Sequence, residues 1–451
     1  MQTLPTTASI AARIERLPLC AFHRRFSTLI SLGAWFDFYD IFMMAYLGAA
    51  LQDSHFLTLA QFRDMLAAGF FGMFIGSWVF GIGSDYFGRR TSFVWMLVIY
   101  SVATLLSAFA ADPKALIFFR FLAGLGIGAE LVIIDTYVTE IVPRQARGLY
   151  IAITQLVGFS AIPVVALLSK VLVPTQWLID GWRWVMIIGS LGALFAWLLR
   201  LRLPESPRWL ESKGRHAEAE RVAEAMEKEV RRAIGTELPA PKPIAVGESD
   251  RVPLLELWSR TYRGRTLMLI GLHLLQTVGI YGFANWAPTF LLQGGKSLAQ
   301  SLDYGFLIAL VSPIGPLIAI ATAERLERKF VIVFLALAMA LTGLAFALAK
   351  GPLGIVCIGA LFTVFSYWIS AVIHTYQAEL FPTRARATGV GFTYSWSRLS
   401  AVFSTYIIGA LLPYGVFAVF SFMAAAMLGV AIIVACFGPR TNAIAIEDLS
   451  A

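Results

Sequence analysis

"TYVTEIVPRQAR", residues 136–147, is answered 239 positions later by "TYQAELFPTRAR", residues 375–386. Thr136, Tyr137, Glu140, Pro143 and Arg147 meet Thr375, Tyr376, Glu379, Pro382 and Arg386 at that one offset. A second pair of segments obeys it too. "SDYFGRR" (84–90) meets "AERLERK" (323–329), so Asp85 falls on Glu324, Arg89 on Arg328 and Arg90 on Lys329. Two separated motifs sharing one spacing mark a duplicated unit.

The material between the motifs is apolar. Hydrophobic residues make up 58% of the 451-residue chain and charged residues only 14%, with a mean hydropathy of +0.73. Soluble proteins carry about 25% charged residues, so the composition is that of a multi-pass membrane protein. A spanning helix needs roughly 20 mostly apolar residues. Twelve such segments are predicted, centred near residues 39, 73, 101, 127, 160, 191, 278, 312, 339, 366, 400 and 425. The first is too long and too acidic for a cleaved signal peptide.

Six spans precede, and six follow, the only long polar stretch. The predicted organisation is therefore a lead at 1–25, a six-helix bundle at 26–201, a helical linker at 202–264, a second bundle at 265–437 and a tail at 438–451. Assigning loops alternately puts 28 of the 36 Lys and Arg on the side holding both termini. The positive-inside rule makes that side cytoplasmic. The net charge of +8 is then mostly topology, helped by anionic headgroups of the lipid bilayer, and argues against a nucleic-acid partner. The N-terminal stretch "IAARIERLPLCAFHRRF" reads as a basic amphipathic lead at the cytoplasmic interface.

Three scattered cysteines, Cys20, Cys357 and Cys436, propose neither a disulfide framework nor a metal site. No phosphate-cradling loop with lysine, zinc pattern or nucleophile–base motif suggests an enzyme, and no cofactor is expected. "GLGIGAE" (124–130) lies within a span, where glycines serve close helix packing.

A charge at the bilayer centre costs at least about 2.5–3.5 kcal/mol and so faces a cavity or a partner. Asp37, Asp40, Arg120, Glu130, Asp135, His374 and Arg398 stand in that position, while His273, near a span start, reads as interfacial. Asp37 and Asp40, three apart, share a helix face. Asp135 and His374 occupy the same repeat position, which allows either a relay between halves or separate bonds within each half. At the loops, Asp85, Arg89, Arg90, Glu140, Arg147, Glu205, Glu324, Arg328, Glu379 and Arg386 can cross-link helix ends as a cytoplasmic gate; topology retention by arginine is the plainer reading.

These motifs carry a resemblance. "GIGSDYFGRR", "RFLAGLGIGAELVIIDTYVTEIVPRQARG", "PESPRWL" and "AELFPTRARATGVG" are similar to signatures of the major facilitator superfamily, in its sugar-porter-like and organic-ion branch. Tyr86 stands where that family usually has arginine. The closest character is that of bacterial metabolite:proton symporters, including niacin and aromatic-acid porters. The resemblance implies an all-α fold of twelve transmembrane helices in two pseudo-symmetric six-helix bundles, acting as a monomer in the bacterial inner membrane. It also implies that Asp40 pairs with Arg120 and carries the proton, with Asp37, Asp135, His374 and Glu130 as further coupling candidates.

The seventh span, "LLQTVGIYGFANWAPTFLL", keeps only Gln276 of the glutamine pair of true sugar porters. Arg398, in "YSWSRLSAVF", stands about 18 Å beyond the cytoplasmic junction by helical rise, near the midplane. With Tyr39, Gln276, Tyr281, Asn285, Trp286, Tyr367, Tyr394 and Trp396 it forms the candidate substrate set. The expected activity is proton-coupled symport of a small organic anion, most simply an aromatic carboxylate. A sugar or polyol, an organic cation, and a non-transporting sensor are the alternatives.

Overall fold

The computed structural model describes residues 9–128, 130–201, 203–241, 254–322, 325–381 and 383–441. Of the gate candidates, Glu324 lies outside the described residues, and nothing is described of the Arg386 side chain.

A short helix α1 (Ile10–Glu15) precedes the first half, which contains α2 (Ala21–Asp53), α3 (Leu59–Phe87), α4 (Arg89–Ala108), α5 (Pro113–Ile127), α6 (Glu130–Ile141), α7 (Arg147–Phe159), α8 (Ala161–Leu172) and α9 (Gly181–Arg200). The polar link holds α10 (Pro207–Ser212) and α11 (His216–Ile234). The second half contains α12 (Arg263–Ala284), α13 (Ala287–Gln293), α14 (Leu298–Ala309), α15 (Ile314–Thr322), α16 (Arg328–Leu348), α17 (Pro352–Glu379), α18 (Thr383–Leu411) and α19 (Val416–Phe437). Four spans are made of two helices in line, α5–α6, α7–α8, α12–α13 and α14–α15. Pro288 in the first turn of α13, and Pro313 just before α15, remove backbone donors at two of these breaks.

Local sequence chemistry sets the ends. Thr58 and Gln61 form a capping box at the start of α3, and Ser297 and Gln300 form its equivalent at α14. Asp112 caps α5 ahead of Pro113. Between α3 and α4 the chain turns at Gly88 with φ +101, a conformation that disfavours any side chain. α3 and α5 cross at contact distance of their backbones: a Cβ on Gly124 would strike the Gly69 carbonyl.

Among the described residues, nine segments are long and apolar enough to cross a membrane. The three spans that complete the fold are α2, α5–α6 and α18. They carry Asp37 and Asp40, Arg120, Glu130 and Asp135, and Arg398. Asp37, Asp40 and Arg398 lower the hydropathy of α2 and α18, whereas α5 and α6 are each shorter than a full span.

The halves close on each other at the side away from the termini. Lys170 meets Asp303 at 3.0 Å, Gln52 Nε2 donates to Thr289 Oγ1 at 3.4 Å, and Phe62 packs edge-on to Trp286. On the terminal side, α1 does not lie free along an interface as its amphipathic pattern suggested. It packs Ile10 and Ile14 against Trp209, Leu210, Ala219 and Ala223 of α10 and α11. Arg13 pairs with Glu220 and with Glu227 (2.9 Å), and Arg16 also reaches Glu227 (2.7 Å). Burial pushes the Glu227 carboxyl up, but the bonds from Arg13 and Arg16 prevail and hold it below its ordinary value.

Candidate functional site

The repeat motifs build the same ion pair twice. Arg89 meets Glu140 at 3.1 Å in the first half, and Arg328 meets Glu379 at 3.0 Å in the second, each pair joining the positions related by the 239-residue offset. The motif tyrosines also agree: Tyr137 donates its hydroxyl to the Pro204 carbonyl, and Tyr376 to that of Pro439 at 2.9 Å. Around Arg89 the network is fuller. Its Nη1 donates to Asp85 Oδ1 (2.6 Å) and Ser84 Oγ (3.0 Å).

Glu205 caps α4, accepting from the backbone N–H of Arg89 (2.9 Å) and Arg90 (3.1 Å). Burial pushes the Glu205 carboxyl up against the pull of those backbone bonds. Arg90 spends its guanidinium on the Leu201 carbonyl (2.6 Å). Arg147 bonds the Val142 carbonyl (2.9 Å) and pairs with Glu15, which also takes Arg208 at 2.8 Å. Glu15 was not singled out from the sequence. A single glutamate in a basic lead gives no sign of a partner more than a hundred residues away.

Deeper in the first half, Arg120 Nη2 donates to Asp40 Oδ2 at 2.5 Å and Nη1 to Oδ1 at 3.0 Å. Thr104 Oγ1 donates to Asp40 Oδ1 at 2.7 Å. Both charged residues are 2% exposed, so the pair is bidentate and dry. Asp37 sits one turn away, equally buried, and neither of its oxygens meets a donor among the described residues. Glu130 is bonded instead by Arg200, Nη2 to Oε1 at 2.7 Å. Arg200 stands at the boundary of span and loop, where sequence reading counted it among topology-setting cations; in the fold it is fully buried.

Between the halves lies a cavity walled by Phe38, Phe42, Gln155 and Phe159 on one side, and by His273, Gln276, Tyr281, Tyr367, His374 and Tyr394 on the other. His273 is buried there rather than interfacial, because it lies ten residues into α12, which begins at Arg263. Its Nε2 donates to Gln377 Oε1 (2.8 Å), and Gln377 Nε2 donates to His374 Nδ1 (3.2 Å). This chain fixes the hydrogen on Nε2 of His273 and leaves His374 an acceptor at Nδ1. Asp135 is half-buried and makes no hydrogen bond or ion pair among the described residues. The histidine bonds therefore run within one half.

Arg398 stands one layer behind the wall. Its Nη1 donates to the Tyr281 hydroxyl (2.9 Å) and its Nη2 to that of Tyr394 (3.4 Å). It is 3% exposed, forms no ion pair among the described residues, and its Nε is unbonded. Each tyrosine oxygen accepts from Arg398, which frees its proton for a ligand in the cavity.

Four candidates are not brought to the wall. Tyr39 donates to the Val185 carbonyl (2.9 Å), and Asn285 donates to the Tyr281 carbonyl (3.3 Å). Trp286 packs among Phe62 and Phe290, and Trp396 lies edge-on to Phe392. On the wall, Phe42, Gln155 and Phe159, and beside Asp40, Thr104, are further residues that the sequence did not point to. Apolar or small neutral positions inside a span carry no signal until the helix rotations are known.

Comparison with known proteins accords with this arrangement. The chain is 29% identical to the niacin transporter NiaP of Acinetobacter baylyi (strain ATCC 33305 / BD413 / ADP1) over 442 residues, covering 98% of this chain and 99% of the relative. It is 29% identical to a gallate transporter of Pseudomonas putida over 418 residues, covering 89% and 88%. Its fold matches the partially occluded inward open conformation of the xylose transporter XylE from E. coli. The TM-score is 0.76 at 20% identity, over 94% of this chain and 100% of that one. The profile of the sugar (and other) transporter family matches residues 26–451. A multi-pass membrane protein of twelve helices in two repeated bundles, the chain belongs to the sugar (and other) transporter family of the major facilitator superfamily, whose members are transporters and not enzymes.

Proposed function

We propose that the protein is a proton-coupled symporter of a small organic anion, most simply an aromatic carboxylate. It would work by alternating access as a monomer in the bacterial inner membrane, with both termini cytoplasmic. The observation that carries the reading is Arg398. A buried guanidinium without a carboxylate partner among the described residues is costly unless an anion completes it. Tyr281 and Tyr394 relay its charge into a cavity whose opposite wall is the aromatic face of Phe38, Phe42 and Phe159. A planar acid suits both walls. The niacin and gallate carriers among the relatives support that choice.

Asp40 is the proton carrier in this reading. Protonation would release the bidentate grip of Arg120 and let α2 and α5 move apart. The Arg89–Glu140 and Arg328–Glu379 pairs, with Asp85, Glu205 and Arg147, form the cytoplasmic gate. The half-chain ranges 26–201 and 265–437, joined by 202–264, are the rocking units. Gln155 and Gln276 on the wall favour a sugar or polyol as the second reading, since paired amides bind hydroxyls.

Counterflow in proteoliposomes separates the two. Nicotinate, gallate and benzoate should exchange, nicotinamide and xylose should not, and an inward proton gradient should drive accumulation. Exchange of xylose or an amine in place of all three acids would overturn the proposal.

A further inference from the structure

One charged cluster is left over from the mechanism just described. Asp37, Glu130 and Arg200 come from α2, α6 and α9 and are 1%, 1% and 0% exposed. Arg200 Nη2 donates to Glu130 Oε1 (2.7 Å) and to the Ile30 carbonyl (3.2 Å), and the guanidinium lies over the Phe93 ring at 3.6 Å. Gly33 leaves the room: any Cβ there would fall on the guanidinium. Asp37 lies one turn beyond Gly33 on α2, on the face against which Arg200 and its partner Glu130 pack. Yet both Asp37 oxygens and Glu130 Oε2 lack a donor among the described residues.

With two carboxylates ionised, the cluster would carry one uncompensated negative charge and three bare oxygens in a dry site. Its surroundings do not repair this. Tyr100 of α4 has a buried hydroxyl without a hydrogen-bond partner, Asp40 is held by Arg120 and Thr104, Arg398 of α18 is bonded to Tyr281 and Tyr394, and on α7 Thr154 meets Ser31 at 3.0 Å. One proton removes the surplus charge and satisfies two of the three bare oxygens. It neutralises the cluster and turns two opposed carboxylates into an O–H···O⁻ bond, a charge-assisted bond of the strong kind.

We propose that Asp37 and Glu130 hold one proton between them beneath Arg200, a proton-binding site separate from the Asp40–Arg120 pair. Only the use of this proton in transport rests on the symport reading; its presence does not.

Infrared difference spectroscopy of the purified full-length protein at neutral pH tests it through the carbonyl stretch of a protonated carboxyl group, identified by its shift in deuterated water. The band should be present in the wild type, survive in Asp40→Asn, and disappear in Asp37→Asn and in Glu130→Gln. Each of the latter variants leaves one carboxylate for one guanidinium. Asp37→Asn also puts an amide N–H where the proton was, so it should unfold no earlier than the wild type. Should Glu130→Gln fail to fold, Asp37→Asn alone decides. Absence of the band in the wild type, or its persistence unchanged in Asp37→Asn, would overturn the shared proton. A carrier insensitive to proton gradients that still shows the band would remove symport and leave this site standing.

Discussion

On the organic-anion proposal, replacing Arg398 with glutamine should cost this protein a preference for acids over their amides. Arg398 Nη1 lies 2.9 Å from the Tyr281 hydroxyl, and a ligand oxygen accepting from that hydroxyl would add about 2.7 Å. The guanidinium and the ligand carboxylate are then roughly 5–6 Å apart. At an effective dielectric near 20, such a pair attracts by about 3 kcal/mol, or close to a hundredfold in affinity. Arg398→Gln should therefore weaken nicotinate binding by about a hundredfold and nicotinamide binding by no more than a few-fold. Arg398→Lys keeps the charge but offers a single ammonium to two tyrosines, so it should lie between. Competition against a labelled substrate in counterflow measures all three. Equal losses for acid and amide would mean that Arg398 holds the wall without acting on charge. An unchanged acid affinity would end the anion reading altogether.

Asp40→Asn should abolish uphill, proton-driven uptake while leaving substrate exchange, and it should lower thermal stability by about 3–5 kcal/mol because Arg120 stays buried without its acid; full accumulation by this variant would refute the carrier role. Arg89→Ala and Arg328→Ala should each shift the carrier toward inward-facing states, read as faster labelling of single cysteines at the cytoplasmic mouth and slower labelling at the far side; unaltered labelling would leave topology as the motif's only use. Docking of α1 should depend on pH. Glu227 is held below its ordinary value of 4.5, so its contribution is complete above that value and is lost as pH falls through the lower folded one. A fluorophore at Ser9 should separate from Trp209 only in that acid window, and separation at neutral pH would contradict the assignment.

The architecture was legible because duplication writes itself twice. Spacing alone matched Glu140 with Glu379 and Arg89 with Arg328, but only the fold pairs each arginine with a glutamate. Asp40 and Arg120 were legible through family resemblance, since 80 residues of chain separate them. The aromatics were half legible: Tyr281, Tyr367 and Tyr394 reach the wall, and Tyr39, Trp286 and Trp396 do not. Trp286 and Tyr281 differ by five residues on one helix line, yet a break at Asn285 turns one toward Phe62 and leaves the other on the cavity. Arg200 was hidden by a sound rule applied one residue too far, because a cation at a span boundary normally sits in water and here turns inward onto Glu130.

The repeat has a last consequence, which concerns polarity. At the 239-residue offset, Asp37 corresponds to Gln276, Asp40 to Gly279, Arg120 to Gly359 and Arg398 to Phe159. The halves thus keep the same ion pairs at their loops but differ in sign where they face each other. Acids outnumber cations within the spans of the first half, and Arg398 stands opposite them. The cavity therefore lies in an electric field running from the second half to the first. A carboxylate of the proposed kind entering it would be turned toward Tyr281 and Tyr394, with its ring toward Phe38 and Phe159. Under the proposed symport, each proton taken up by the first half would weaken the repulsion that the same anion feels from behind. Proton and substrate can then favour each other's binding through that field alone, without ever sharing a ligand.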